Sequence, residues 1–126
     1  MNDAGTRRSV HVALVEDDEG IRTALRRLLS ALGHKTEIFP SGRAFLESTP
    51  IDRHECLIVD MNMPGMSGLD VLRQLGERGI QLPAVMMTAY DERWSREQCL
   101  AAGARAFLRK PLDDELLVQA IAEAVR

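Results

Sequence analysis

"CLIVDMNMPGMSG", residues 56–68, decides how the rest of the chain is read. Its first four residues, Cys56-Leu57-Ile58-Val59, are a run of the kind that forms a strand buried on both faces of a parallel sheet. The run ends in Asp60, and a Met63-Pro64-Gly65 turn follows. A carboxylate at the end of a buried strand is costly unless water, a cation or hydrogen-bond donors receive it. Asp60 is therefore either an ordinary strand exit or part of a site built around it, and this strand alone leaves both readings open.

Working outward, Val10–Val15 is a first short apolar run. "EDDEG" then opens a helical pattern in which Ile21, Ala24, Leu25, Leu28, Leu29 and Leu32 recur at three- and four-residue spacing up to Gly33. Lys35–Phe39 is a weaker strand, and Ser41 caps a short helix through Glu47. Glu55–Asp60 is the third strand. Ser67 and Asp70 stand in capping-box spacing ahead of Val71, Leu72 and Leu75. Pro83–Thr88 predicts a fourth strand, Trp94–Ala102 a helix stopped by Gly103, and Ala104–Arg109 a fifth strand. Asp113 caps a last helix whose Leu116, Leu117, Ala120, Ile121 and Ala124 face inward. Strands alternating with helices in this way specify an α/β fold, a five-stranded parallel sheet with five helices on both faces.

The bulk composition agrees. One domain of 126 residues, 45% apolar and 28% charged, closes a real core. The net charge is −3 and no block of Lys or Arg stands out, which gives residues 1–126 no broad electrostatic footprint for nucleic acid. Cys56 and Cys99 lie in apolar segments without metal-ligand spacing and read as buried free thiols, in keeping with a reducing cytoplasmic setting. No apolar run is long enough to span a bilayer, so no membrane partner is expected. The polar residues 1–9 read as a flexible N-terminus ahead of a domain over 10–126.

In folds of this class the working site lies outside the carboxyl ends of the strands, where the strand order reverses. Strand one ends in Glu16-Asp17-Asp18, strand three in Asp60, strand four in Thr88 and strand five in Lys110-Pro111. Polar residues are common at strand exits, which accounts for each of these singly and for all of them together poorly. Converging carboxylates repel, and each raises its neighbour's pKa unless a cation intervenes. One lysine offsets one of those charges. A hard divalent ion such as Mg²⁺, which takes carboxylate, water and phosphate oxygens, would offset the rest. Carboxylates, a metal and a lysine suit phosphoryl transfer, and an aspartate can itself be the nucleophile.

"VEDDEG", "LIVDMNMPGMSG", "MMTA" and "FLRKP", in this order and spacing, resemble the receiver domain of two-component response regulators, the CheY-like family with its flavodoxin-like (βα)5 fold. The resemblance covers about residues 10 to 125, and the D-x-x-M-P-G-x-x-G stretch from Asp60 to Gly68 combined with Lys110-Pro111 is its most specific part. It implies that Asp60 accepts a phosphoryl group from a sensor histidine kinase with Mg²⁺, and that the chain is a phospho-accepting switch rather than an enzyme. Asp17 would bind the metal directly, Glu16 mostly through water, and Asn62 through its backbone carbonyl. Thr88 and Lys110 would contact the phosphoryl oxygens, and the Lys110–Pro111 peptide would be cis. Phe107, which residue type alone reads as a core residue of the fifth strand, matches the family's aromatic whose ring turns from solvent into the core on activation. A homodimer through the fourth-helix, fifth-strand and fifth-helix face is a further expectation. "LVEDDEGIRTALRRLL" and "FPSGRAFLES" look most like receivers of FixJ/NarL-type transcription regulators, which carry a DNA-binding output domain after the fifth helix.

Two other classes compete. An aspartate-nucleophile phosphatase would carry a second acid two residues after Asp60, where Asn62 stands instead. A flavodoxin-like cofactor binder would want a Ser/Thr/Gly-rich loop after strand one, and the acidic "EDDEG" would repel a flavin phosphate. Tyr90, two after Thr88, falls where family side chains tune phosphate lifetime. The histidines at 11, 34 and 54 read as surface or strand-edge residues, and the methionines at 61, 63, 86 and 87 as core.

Overall fold

The computed structural model describes residues 9–90 and 93–126. Its elements are β1 (His11–Val15), α1 (Glu19–Ala31), β2 (Lys35–Phe39), α2 (Gly42–Glu47), β3 (Cys56–Asp60), α3 (Gly68–Glu77), β4 (Ala84–Thr88), α4 (Arg93–Ala101), β5 (Ala104–Arg109) and α5 (Asp114–Ala124). A 3₁₀ turn at Ile51–Arg53, which the sequence did not signal, joins α2 to β3. The expected flexible N-terminus, Ser9 apart, lies outside the described residues.

All strand pairings are parallel, in the order β2-β1-β3-β4-β5. From β1 the chain crosses to β2 on one side and returns to β3 on the other, so the order reverses between β1 and β3. Every residue of β3 and β4 is buried, as continuous apolar runs require when helices cover both faces. On one face Leu25 and Leu29 of α1 and Leu117, Ala120 and Ile121 of α5 pack on Val12, Leu14, Ile58, Val85 and Met87. On the other, α2, α3 and α4 supply Phe45, Leu72, Leu75 and Cys99 against Ala13, Val15, Leu57, Val59 and Met86.

The sequence's start and stop signals work as side-chain chemistry. At α1 the cap is Asp18, which the sequence did not single out as one: its Oδ1 accepts from Ile21 N at 2.9 Å. Ser41 and Asp113 do the same for α2 and α5. Ser67 and Asp70 form a reciprocal capping box at α3. Gly33 and Gly103 take φ of 88° and 109° just past α1 and α4, the left-handed exit that glycine adopts without penalty.

Two features reach the strand ends. Gly68 opens α3 so close to β3 that a Cβ there would lie 2.6 Å from the Asp60 carbonyl oxygen. Between β4 and β5 the register skips a residue: Ala84 pairs with Ala104 but Val85 with Ala106. Arg105 is thus left over, and Ala104 and Phe107, three apart in sequence, share one face of the sheet.

Candidate functional site

Parallel register brings the strand ends level. Val15 pairs with Val59, so Glu16 and Asp60 leave the sheet side by side at the point where the strand order reverses. Asp60 pairs with Met87, and Lys110 N donates to Thr88 O at 2.7 Å, which fixes Thr88 and Lys110 beside them. The peptide between Lys110 and Pro111 is cis, as is Thr49–Pro50.

Lys110 Nζ lies 3.0 Å from Glu16 Oε1 and 3.1 Å from Asp60 Oδ2. Asn62 N donates to Asp60 Oδ1 at 3.0 Å, and Asp18 N to Glu16 Oε2 at 3.1 Å. Asp17 stands at the solvent side. Arg22 donates to the main-chain oxygens of Glu16 and Asp17, both at 3.0 Å, and pins the turn that presents them. Carboxylate oxygens of Glu16, Asp17 and Asp60 all lie within 4.8 Å of one another.

Glu16 is 0% exposed and Asp60 2%. Burial pushes the Glu16 carboxyl up to about 7; Lys110 and the Asp18 amide oppose the rise, and Asp60 adds to it. The Lys110 ammonium is disfavoured by its own burial, yet its bonds and charge contacts with Glu16 and Asp60 outweigh that and raise its pKa.

This donor set fits a divalent cation. Three carboxylates face one ammonium, and Glu16 Oε1 has that ammonium as an ion pair but no aligned hydrogen-bond donor. Asp17 keeps the cluster open to water. All-oxygen ligands with room for water suit a hard ion.

The family profile of the response regulator receiver domain matches residues 12–122. The chain belongs to that family. Receivers are the phosphorylation switches of two-component signalling, and that is the function of this domain. Transcriptional regulatory protein FixJ of Rhizobium meliloti is 34% identical over 113 residues, 90% of this chain and 55% of that protein. Response regulator MprA of Mycobacterium ulcerans is 40% identical over 112 residues, 88% of this chain and 48% of that protein. The chain thus spans about half the length of the curated relatives it matches. The crystal structure of FixJ-N superposes with a TM-score of 0.86 at 32% identity, covering 94% of each chain. Response regulator StyR gives 0.86 at 36% identity, over 94% of this chain and 60% of that one.

Within this receiver, one expected switch residue stands differently. The Phe107 ring, expected to face solvent before activation, is 6% exposed and sits in the core with Met86, Cys99 and Ala104, the Arg96 guanidinium 5.2 Å from its centroid. The skipped residue at Arg105 leaves Phe107 paired with Met86, on the same core face as Ala104. Thr88 is buried, and its hydroxyl contacts Asn62 Oδ1 at 3.0 Å and Tyr90 O at 2.8 Å. The Tyr90 side chain is 65% exposed. His54 is no surface residue: it is buried against Phe39 and Phe45, with Nε2 3.6 Å from Glu37 Oε1. Cys56 and Cys99 are buried free thiols, as expected.

Sequence reading assigned Asn62 a role only through its main chain. Its side chain joins the loops after β3 and β4. The available signal was a lone amide in an otherwise apolar "MNMPGM" turn.

Proposed function

We propose that Asp60 is the phospho-acceptor of this receiver and that a sensor histidine kinase is its donor. The observation that carries the assignment is the buried Asp60 carboxylate, paired with Lys110 at 3.1 Å and flanked by Glu16 and Asp17 where the strand order reverses. A carboxylate oxygen of Asp60 attacks the phosphorus of the phosphohistidine. The P–N bond breaks and the imidazole leaves with that electron pair, so Asp60 carries an acyl phosphate. Lys110 balances charge on the incoming oxygens, while Thr88 donates its hydroxyl to one of them. Asp17, Asp60 and the Asn62 carbonyl would hold Mg²⁺, with Glu16 acting through water; when bound, the ion neutralises charge developing on the phosphoryl oxygens. The domain catalyses no reaction on a separate substrate, only its own phosphorylation and dephosphorylation.

The acyl phosphate carries about −1.5 to −2 charge beside Thr88 and Lys110, in place of the single charge of the carboxylate. The readout is a change on the α4–β5–α5 face, which forms a weak homodimer or docks a DNA-binding output domain. Relatives about twice as long support an output domain. Among the described residues no helix is long and apolar enough to cross a membrane, and a cytoplasmic setting suits the proposed kinase partner. The receiver unit is taken as residues 10–126.

Acetyl phosphate with Mg²⁺ should add the mass of one phosphoryl group to the intact chain, and Asp60→Asn should abolish the gain. Undiminished labelling in that variant, unless it maps to a residue adjacent to position 60, would remove the assignment.

A further inference from the structure

The Asn62 side chain holds an arrangement that the phosphoryl chemistry does not require. Its Oδ1 lies 3.3 Å from Ala89 N and 3.0 Å from Thr88 Oγ1. The Ala89 N–H is a donor only, so the Asn62 atom facing it is the carbonyl oxygen and not the amide nitrogen. Thr88 has a single hydroxyl proton, shared between Asn62 Oδ1 and Tyr90 O, and its oxygen accepts from Tyr90 N at 3.1 Å. Two donors at the end of β4 therefore converge on one oxygen that extends from β3.

That oxygen belongs to the residue whose own N–H bonds Asp60 Oδ1. We infer that the Asn62 carboxamide is an internal surrogate acceptor: it occupies the Thr88 hydroxyl and the Ala89 amide until a phosphoryl oxygen on Asp60 takes them over. The inference rests on Asp60 being the phospho-acceptor and makes Asn62 a positioning residue acting through the loop after β4. Asn62 is exposed, so its amide swings into solvent without unpacking the core. Thr88 is 1% exposed, and its hydroxyl needs an acceptor in either state. The exchange replaces a neutral acceptor by a charged one, and hydrogen bonds to charged oxygen are roughly twice as strong. Asn62 thus sets how much of that gain is left to drive the switch.

Beryllofluoride with Mg²⁺, a phosphoryl mimic, tests this in the intact chain by NMR titration. Removing the competitor in Asn62→Ala should tighten beryllofluoride binding about five-fold, the net contribution of one hydrogen bond. In Thr88→Val, where only the Ala89 donor remains, the same substitution should give a clearly smaller gain. In the free protein, the Ala89 amide signal should move upfield in Asn62→Ala. In wild type it should move on adding beryllofluoride, without any substitution. Unchanged or weaker binding in Asn62→Ala, an equal gain in the Thr88→Val background, or an unmoved Ala89 amide would each overturn the inference. Asp60→Asn distinguishes the levels. Beryllofluoride occupancy that survives it removes the phospho-acceptor reading and this inference together, whereas binding that needs Asp60 but ignores Asn62 removes the inference alone.

Discussion

At the scale of single residues, the behaviour of Glu16 follows from three carboxylates sharing one ammonium. Its carboxyl is raised from 4.5 to about 7, so the folded state holds a proton that the unfolded chain has released. Without metal, that stabilisation is full below pH 4.5 and is lost as pH rises through 7. His54 works in the opposite direction. Burial holds its pKa below 6.5, so its contribution is present above 6.5 and is lost as pH falls through the lowered value. Urea midpoints measured without Mg²⁺ from pH 5 to 8 should therefore fall with pH in wild type and not in Glu16→Gln. In that variant the His54 contribution should turn the slope upward. Identical slopes in the two proteins would refute the placement of Glu16. Asp17→Asn should abolish Mg²⁺ binding while leaving the apo fold as stable or more so, since one repelling charge is gone. Glu16→Gln should weaken Mg²⁺ less, and titration calorimetry on the pair decides the order.

At the scale of elements, the approach of α3 to β3 holds Asp60 in place. A methyl at Gly68 would meet the Asp60 carbonyl oxygen at 2.6 Å, the Met86 Cε at 2.8 Å and the Met61 Cα at 3.0 Å. Two of the three are backbone and cannot swing aside. Gly68→Ala is expected to lower stability by about 1–3 kcal/mol, as overpacking does, and to shift the Asp60 and Met61 amide signals. An unchanged urea midpoint would show that the helix can slide away. The packing of β5 on α4 makes a parallel case. Phe107 is a core side chain in this state, so Phe107→Ala should cost about 3–5 kcal/mol even without phosphate or metal. A loss well under 1 kcal/mol would mean that the ring spends its time in solvent.

At the scale of the whole molecule, α4 and α5 expose Trp94 (63%), Leu100 (47%), Leu116 (52%) and Val118 (41%), Leu116 contrary to the inward side its spacing suggests. Apolar side chains of this size, spread over neighbouring helices, suit a contact made in one state and broken in the other. Beryllofluoride with Mg²⁺ should change Trp94 fluorescence and raise the sedimentation coefficient as protein concentration increases. A monomer in both states, with amide shifts confined to the neighbourhood of Asp60, would remove this face as the output surface.

The sequence by itself determined the alternation of strands and helices, the caps at Ser41, Ser67 and Asp113, and the residues at the strand ends. Each depends on local periodicity or on bonds spanning three or four residues. Because parallel strands in such a fold align at their carboxyl ends, it also determined that Glu16, Asp17, Asp60, Thr88 and Lys110 would meet. Tertiary structure alone decided the rest. The skipped residue at Arg105 arises from β5 matching its neighbour, and no local pattern encodes it, although residue type alone reads Phe107 as core. Asn62 and Ala89 are 27 residues apart, and their bond exists only because β3 and β4 end side by side. His54 is buried because Phe39 and Phe45 happen to cover it. Position along a strand is a property of the chain, whereas the partner a side chain finds across two loops is a property of the packed whole.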